Sequence, residues 1–329
     1  VHRVEEEPAP NSEHPQNVLN KEVTISDLVF MIGPRINAAG RLEKASDSVR
    51  LLIAERKEHA EKLASSINDL NVRRREFDNK ITEEALQMIQ QDERLLQAKS
   101  TVIFNENWHK GVIGIVASRL TDTYYRPTIV LTRSNNLITG SARSIKNFDI
   151  YDAIDNCSDL LEHFGGHKYA AGLSLKPENL SEFSRRFEEY VSNNIDKEEL
   201  IPELNVDLEI NFSDITPKFV RVLKQFSPFG PGNMAPVFLS RNVIDSGSSR
   251  PVGGQEKKHL KLSMTQKHDN NLILPGIAFQ KGADYQRVNS KEPFSICYCI
   301  EKNFWQGKTN LQLNVKDIKF ENNESNLDK

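Results

Sequence analysis

The feature of this sequence that most constrains its fold is the interval between Gly40 and Gly111, which contains neither glycine nor proline. These two residues are the least favourable in a helix interior, so their absence permits long helices. The interval has apolar residues at spacings of three, four or seven, as on one face of a helix: Leu63, Ile67, Leu70, Phe77, Ile81, Ala85 and Ile89. Because they keep no strict heptad, we predict a long helix connecting two domains, with a coiled-coil arm as the alternative.

After residue 100 the sequence changes to two different β-containing patterns. Strand-like and helix-like segments alternate between Thr101 and Val191, which predicts a small α/β domain. Beyond Lys197, short strands are separated by glycine, proline and asparagine loops and accompanied by one helix at 216–226, which favours a barrel of the OB-fold type. The predicted fold class is therefore α/β plus β-barrel: an α/β domain joined by a long connecting helix, followed by an OB-fold-like barrel.

Domain boundaries follow from these changes in pattern. We place a polar, flexible lead-in and the end of an upstream domain at 1–45, the connecting helix at 46–97, the α/β domain at 98–197, the barrel at 198–320 and a polar tail at 321–329. The sequence begins with Val1 rather than methionine, so we expect it to be part of a longer protein.

Composition excludes several classes of protein. With 38% hydrophobic and 27% charged residues, the chain is neither disordered nor fibrous. It contains no apolar stretch near the ~18 residues of a membrane span and no signal peptide, so we expect no membrane partner. Three cysteines, Cys157, Cys297 and Cys299, are too few for a disulfide framework and fit a reducing, cytoplasmic location. The net charge of −3 requires any nucleic-acid surface to be a local patch.

Two clusters of the first half of the chain could contact an anion. The segment 33–41 offers Arg35, Asn37 and Arg41 among small residues that let a backbone approach closely, although structural ion pairs would explain the arginines equally well. The segment 108–114 carries His109 at a strand-to-helix junction, where backbone N–H groups favour phosphate. The alternative for His109 is an ordinary surface-loop residue.

Two further clusters have the character of a phosphate clamp. Ser141 and Arg143 end a strand-like segment with a hydroxyl beside a guanidinium, although such turns are common. In the segment 163–172, Gly165 and Gly166 precede His167, which gives an open backbone with a basic tip suited to a sugar-phosphate chain. His163 and His167 have the spacing of metal ligands on a helix, but the glycine pair between them and the lack of a third ligand disfavour a metal.

The barrel-like region has basic residues interleaved with aromatic ones. We predict DNA contacts for Lys258, Lys261, Trp305 and Lys308, because stacking and positive charge together bind single strands. The alternative is that Trp305 or its neighbour Phe304 belongs to the core. The sequence has no Walker loop, no GxSxG and no dinucleotide-binding fingerprint.

Taken in order, these motifs resemble the C-terminal portion of the RecJ family, the single-strand-specific 5′→3′ DNA exonucleases of the DHH phosphoesterase superfamily. The resemblance runs from about Ile25 to Phe320. It rests on seven segments: GPRINAAGR (33–41), WHKGVIGIVASRL (108–120), GSARS (140–144), FDIYDAI (148–154), FGGHKYAAG (164–172), PFGPGN (228–233) and LQLNVKDI (311–318).

This resemblance implies roles for the clusters. The α/β domain would be a DHHA1 domain, in which Gly165, Gly166 and His167 bind the nucleotide or phosphate groups of the substrate. Ser141 and Arg143 match the substrate-contacting SxRS of the family, and the barrel matches its OB-type DNA-binding domain. Arg35, Asn37 and Arg41 match the segment that closes the catalytic domain, and His109 belongs to the matching WHKG segment.

The chain departs from the family in one large respect. The catalytic DHH domain, which holds two Mn²⁺ or Mg²⁺ ions, is expected before Val1, and the sequence contains no DHH tripeptide and no DxD. We therefore expect no catalytic residue and no metal ligand in this chain, and predict that it binds single-stranded DNA without cutting it.

Partners and alternatives follow from the same resemblance. The expected partners are single-stranded DNA, a single-strand-binding protein and a repair or recombination helicase, with the chain itself a monomer. Two alternatives stay open: a non-catalytic single-strand-binding adaptor, and a hydrolase of oligonucleotides or small phosphoesters from the same superfamily. The barrel disfavours the second, because a small substrate does not need an extended strand-binding surface.

Overall fold

The computed structural model of the chain describes residues 25–254, 257–305 and 308–320, the side chains of 26, 269, 270, 304, 305, 308 and 309 excepted. The predicted lead-in up to residue 24 and the tail from 321 lie outside these ranges. The chain forms two compact units, Val1–Glu203 and Leu204–Lys329. Over the described ranges, no helix is both long enough and apolar enough to cross a membrane.

Helices make up the beginning of the first unit. They are α1 (Ile25–Asp27), a π-helical turn (Leu28–Ile32), α2 (Gly33–Leu42), α3 (Ser46–Leu52), α4 (Lys57–Gln91) and α5 (Glu93–Gln97). The predicted connecting helix is thus three helices, of which α4, with 35 residues, is by far the longest. The break at Asp92 has a local cause, because its carboxylate accepts the Arg94 N–H at 2.9 Å and caps α5.

A five-stranded mixed sheet forms the rest of the first unit. Its elements in chain order are β1 (Thr101–Phe104), α6 (Ile113–Tyr124), β2 (Thr128–Ser134), β3 (Leu137–Arg143), α7 (Ile150–Asp155), β4 (Leu161–His167), β5 (Ala170–Leu175) and α8 (Leu180–Asn194). The strand order is β1-β2-β3-β5-β4, with β1 and β2 parallel and the other pairs antiparallel. Sequence analysis did not predict β4 as a strand, because its glycine pair obscures the alternating pattern.

The two faces of this sheet are covered differently. On one face, α7 and α8 bury a core that includes Ile129, Leu131, Phe183 and Phe187. On the other face, α4 and α6 cover Val130 and its neighbours. On that second face, glycines of β4 and β5 are exposed, so this part of the sheet is open to solvent.

The second unit is an OB-type barrel. Its elements are β6 (Leu208–Glu209), α9 (Pro217–Gln225), β7 (Phe238–Asp245), β8 (Arg250–Val252), β9 (His259–Gln266), β10 (Asp269–Ala278), α10 (Tyr285–Val288), β11 (Phe294–Trp305) and β12 (Lys308–Phe320). The sheet order is β6-β7-β11-β12-β10-β9-β8, and β7 also pairs with β9. This pairing curls the five long strands into the partly open barrel of an OB-fold, which confirms the predicted fold class.

Alternating apolar residues at 205–212 predict a strand there, but only the two residues of β6 form one. Leu208 is 53% exposed, whereas Ile210 and Phe212 are buried in the core of the barrel. The alternation of apolar residues therefore belongs to an extended segment in which only the last two of them, Ile210 and Phe212, enter the core of the barrel. The predicted helix at 216–226 is α9, and the Thr216 side chain caps it by accepting the Phe219 N–H at 3.2 Å.

A buried ion pair joins α4 to α6. The Asp78 carboxylate on α4 lies 2.9 Å from Nη2 of Arg119 on α6 and 3.7 Å from Nη1 of Arg74. The Asp78 side chain is 1% exposed. Burial raises the pKa of Asp78, and the charges of Arg119 and Arg74 oppose that rise. The long helix is therefore attached to the sheet domain by charge as well as by apolar packing.

We expect Asp78→Ala to lower the free energy of unfolding of the first unit by about 3 kcal/mol, because it leaves Arg74 and Arg119 without their counter-charge. Hydrogen exchange followed by mass spectrometry measures this loss of stability: amides of α4 and α6 should exchange roughly a hundredfold faster than in the unsubstituted chain. The control is Glu83→Ala on the exposed side of α4, for which exchange stays within threefold of the unsubstituted chain. Unchanged protection in the Asp78 variant would contradict this role of the ion pair.

Candidate nucleic-acid interface

Strand register aligns polar and glycine residues of three strands on the open face of the first sheet. Residues that pair across antiparallel strands point their side chains to the same face. Three rows cross β3, β5 and β4 in this way: Arg143, Ala170 and His167; Ser141, Gly172 and Gly165; and Thr139, Ser174 and His163. The SxR segment and the GGH segment, separate in sequence, therefore lie on one surface.

Only small residues lie between the two basic residues of the first row, Arg143 and His167, and beside them in the second row. Between Arg143 and His167 stands only Ala170, and the next row has Gly172 and Gly165 at the same two positions. Two strand spacings separate the ends of the row, about 10 Å. The strip of sheet between the backbones of Arg143 and His167 therefore carries only the methyl group of Ala170.

The Arg143 side chain is held in a fixed orientation. Its Nε donates to Ser118 Oγ at 3.2 Å, and its Nη1 donates to Ser141 Oγ at 3.0 Å and to the Ala142 carbonyl at 2.7 Å. A Cβ atom on Gly114 would lie 3.0 Å from Nη2 of Arg143. A side chain at residue 114 would therefore crowd the guanidinium where it packs against the first turn of α6.

Two positive groups meet beside this turn. Nη1 of Arg41 on α2 donates to the Gly111 carbonyl at 3.3 Å, just before α6 begins. Burial lowers the pKa of Arg143, and the charge of Arg41 lowers it further. The positive end of the α6 dipole lies at the same place. The local field therefore favours an anion, in a chain whose net charge is −3.

His167 lies at the other end of the row, on the edge strand β4. Its Nδ1 accepts the backbone N–H of Tyr169 at 3.2 Å. In the neutral imidazole this leaves the proton on Nε2, because a ring nitrogen that accepts a hydrogen bond carries no proton. The exposed His167 ring therefore presents an N–H donor to solvent.

The two adjacent glycines of β4 have different roles. A Cβ on Gly165 would have no atom within 4 Å, and the residue is exposed on the open face. A Cβ on Gly166 would lie 2.5 Å from Ala171 Cα and 2.7 Å from Ala171 Cβ, on the core side of the sheet. Gly165 therefore leaves this part of the open face free of side-chain atoms. Gly166 instead allows β4 to pack closely against β5.

Of the other predicted site residues of the first unit, His109 and Arg35 have hydrogen-bond partners within it. His109 accepts the Gly111 N–H at Nδ1 (3.1 Å), and its ring stacks on Phe77 at 5.5 Å. Arg35 donates to Asn68 Oδ1 at 3.1 Å and to the Met31 carbonyl at 2.6 Å. Asn37 is exposed on α2. The structure thus brings Ser141, Arg143, Gly165 and His167 together with Arg41 nearby, and shows His109 as a support of the loop before α6.

Sequence reasoning missed two residues of this arrangement. Ser118 holds Nε of Arg143, and Gly114 makes room for its Nη2. Both lie on α6 four residues apart, so they share one face of that helix. The spacing of Gly114 and Ser118 indicates a shared helix face, but Arg143, the residue they contact, lies on β3, 25 residues after Ser118.

In the barrel, the predicted DNA-binding residues lie on the surfaces by which OB-folds bind oligonucleotides. Those surfaces are the second and third strands and the loops after the first and fourth strands. Lys261 is exposed on β9, the second barrel strand, and Lys258 is exposed in the loop that precedes it. Trp305, the last residue of β11, pairs with Lys308, the first residue of β12, where the fourth and fifth barrel strands meet; the side chains of both lie outside the described residues.

The described residues do not provide a site for Mn²⁺ or Mg²⁺. Within the ranges that the structure covers, no three or more His, Cys, Asp or Glu side chains come together to hold a metal ion. The histidines of β4 belong to the open sheet face instead. We therefore derive no chemical step through a metal bound by these residues.

We expect the two glycine substitutions in β4 to separate folding from binding. Gly166→Ala should destabilise the first unit by about 2 kcal/mol, because the new Cβ meets backbone atoms of β5. Gly165→Ala should fold normally but bind a labelled oligonucleotide about fivefold more weakly, because its new methyl group stands on the open face in the row next to Arg143 and His167. Thermal unfolding and fluorescence anisotropy measure the two effects. Equal behaviour of the two variants in both assays would contradict the assignment.

Comparison with known proteins identifies the two domains of the chain. The chain matches the family models of the DHHA1 domain over residues 97–193 and of the RecJ OB domain over 206–317. It is 36% identical over 290 residues to the single-stranded-DNA-specific exonuclease RecJ of Bacillus subtilis, covering 88% of this chain and 36% of that protein. Identity to the protein of the same name from Haemophilus influenzae is 33% over 306 residues, covering 91% and 52%.

A solved structure extends the match to the fold. Crystallised RecJ of Thermus thermophilus in complex with Mg²⁺ matches with a TM-score of 0.77 at 25% sequence identity, over 93% of this chain and 45% of that one. The chain thus spans between about a third and a half of the length of these relatives. The two domain matches, the curated relatives and this structure agree, and the chain belongs to the RecJ family, of which it carries the DHHA1 domain and the OB domain.

Proposed function

We propose that this chain holds single-stranded DNA for a metal-dependent 5′→3′ exonuclease. The observation that carries the proposal is the register that puts Arg143 and His167 at opposite ends of one row on an open sheet face. The names of the relatives support the substrate, since they are single-stranded-DNA-specific exonucleases. Because the chain spans only part of their length, the activity of the whole protein is part of the proposal.

The sheet face would bind the phosphates nearest the scissile bond. Arg143 offers a guanidinium that is already oriented by Ser118 and Ser141, so little side-chain entropy is lost when a phosphate binds. His167 would donate its Nε2–H to the same group from the other side. Both contacts are to phosphate, so this surface would bind without regard to base sequence.

The barrel would bind the strand further along. The exposed lysines Lys258 and Lys261 supply charge on the surface that OB-folds use, and Trp305 would supply a stacking group. Charge and stacking together favour a single strand over a duplex, whose bases are already stacked on one another. An extended binding surface of this kind favours a long substrate over a small phosphoester.

Hydrolysis itself is not assigned to residues of this chain. Thermus RecJ has been crystallised with Mg²⁺ and with Mn²⁺, and such ions supply an activated water in phosphodiester hydrolysis. The role we propose for this chain is to bind and orient the strand while the metal centre lies elsewhere in the protein. A single-strand-binding protein and a helicase as partners, and the monomeric state, stay predictions.

Fluorescence anisotropy of a labelled single-stranded oligonucleotide tests the binding role. We expect salt-sensitive binding that is stronger than to the matching duplex, weakened about tenfold by Arg143→Ala and by His167→Ala. The slope of log K for binding against log[salt] should also become shallower by about 0.7 for each phosphate contact that is lost. Matched controls are Arg185→Ala on α8, which covers the opposite face of the sheet, and His59→Ala on the exposed side of α4. Equal losses in the controls, or equal affinity for the duplex, would contradict the proposal.

A second experiment tests whether the chain binds DNA without hydrolysing it. We expect the purified chain to leave a 5′-labelled single strand uncut in the presence of Mn²⁺ or Mg²⁺, because its sequence has no DHH or DxD segment. Release of labelled mononucleotides is measured by gel electrophoresis. Metal-dependent release that persists through purification and is lost in the Arg143→Ala variant would overturn this expectation.

A further inference from the structure

The turn that joins β4 to β5 carries an aromatic side chain next to the open sheet face. The turn consists of Lys168 and Tyr169, between the paired residues His167 and Ala170. The Tyr169 ring is 53% exposed. A large exposed ring beside a phosphate-binding surface is a feature that the sheet core does not require.

The backbone of this turn is held rigidly. The Lys168 carbonyl accepts the Ile150 N–H at 3.1 Å, and the Tyr169 carbonyl accepts the Ser144 N–H at 3.0 Å. The Tyr169 N–H is bound to His167 Nδ1 at 3.2 Å. Since its backbone is fixed on both sides, the Tyr169 ring has only its own side-chain torsions to lose when it binds a ligand.

The ring has a defined environment. Its centroid lies 6.4 Å from that of the His167 imidazole, with the two planes at 68°. Nζ of Lys168 lies 5.9 Å from the ring centroid, at the range of a cation–π contact. The Tyr169 ring therefore lies next to the His167 imidazole, which can donate a hydrogen bond, and next to the Lys168 ammonium group.

We infer that Tyr169 stacks on the base of the nucleotide whose phosphate lies between Arg143 and His167. This inference rests on the proposed function. One sugar ring separates a phosphate from its base, which is the scale of the 6.4 Å between the two rings. Stacking on an aromatic side chain tolerates any base, as a nuclease that removes successive nucleotides requires.

Oligonucleotides with and without bases test this inference in the full chain. We compare a single strand with an abasic strand of the same length and charge, using Tyr169→Ala and the conservative Tyr169→Phe. We expect Tyr169→Ala to weaken binding of the base-bearing strand about tenfold and to leave the abasic strand unchanged, while Tyr169→Phe binds both normally. Equal effects on the two strands, or no effect on either, would overturn the stacking role.

A local readout separates this site from binding to the barrel. In Tyr169→Trp, the added indole should be quenched by the base-bearing strand and not by the abasic one, after subtraction of the signal of Trp108 and Trp305 in the unsubstituted chain. Absence of such quenching at saturating strand would overturn the inference.

Arg143→Ala distinguishes failure of this inference from failure of the proposed function. We expect it to weaken binding of both strands, because it removes a phosphate contact. If Arg143→Ala behaves so and Tyr169→Ala does not discriminate the strands, only the stacking role is wrong. If the unsubstituted chain binds neither strand, the proposed function and the stacking role are both wrong.

Discussion

The register of β3, β5 and β4 is the constraint on which the candidate site depends. Because side chains alternate between the two faces of a sheet, a shift of one residue in β3 would turn Arg143 toward the core and Ala142 toward solvent. The same shift in β4 would exchange Gly165 with Gly166, although only the first has open space around it. The buried positions of Ala142 and Ala171 therefore specify the site as well as the core.

Packing on the two sides of the sheet supports this register in different ways. The α8 side is a continuous apolar core in which Phe183 and Phe187 are completely buried. On the other side, α6 covers Val130 but leaves room at Gly114 for the Arg143 guanidinium. The ion pair of Asp78 with Arg119 joins α6 to the long helix. The position of Arg143 is thus linked to the attachment of α4, through one helix that contacts both.

We propose that the two units offer different chemistry to single-stranded nucleic acid. The sheet domain offers oriented donors to phosphate, which supply position without base recognition, and its turn adds one exposed ring at Tyr169. The barrel offers exposed lysines such as Lys261 on its second strand. In a chain whose net charge is −3, the basic groups of these surfaces are local.

Local features were readable from the sequence alone, because they depend on neighbours along the chain. The helix predicted at 216–226 and the helical character of 57–91 agree with periodicity and with the positions of glycine and proline. The tertiary structure decided what the arginines and histidines do. Arg35, Arg41 and Arg143 all occur in similar glycine- or serine-rich segments, yet each has one partner far along the chain, at a separation of 33, 70 and 25 residues. Only folding brings such partners together, and therefore only the structure separates a structural arginine from one on the binding surface.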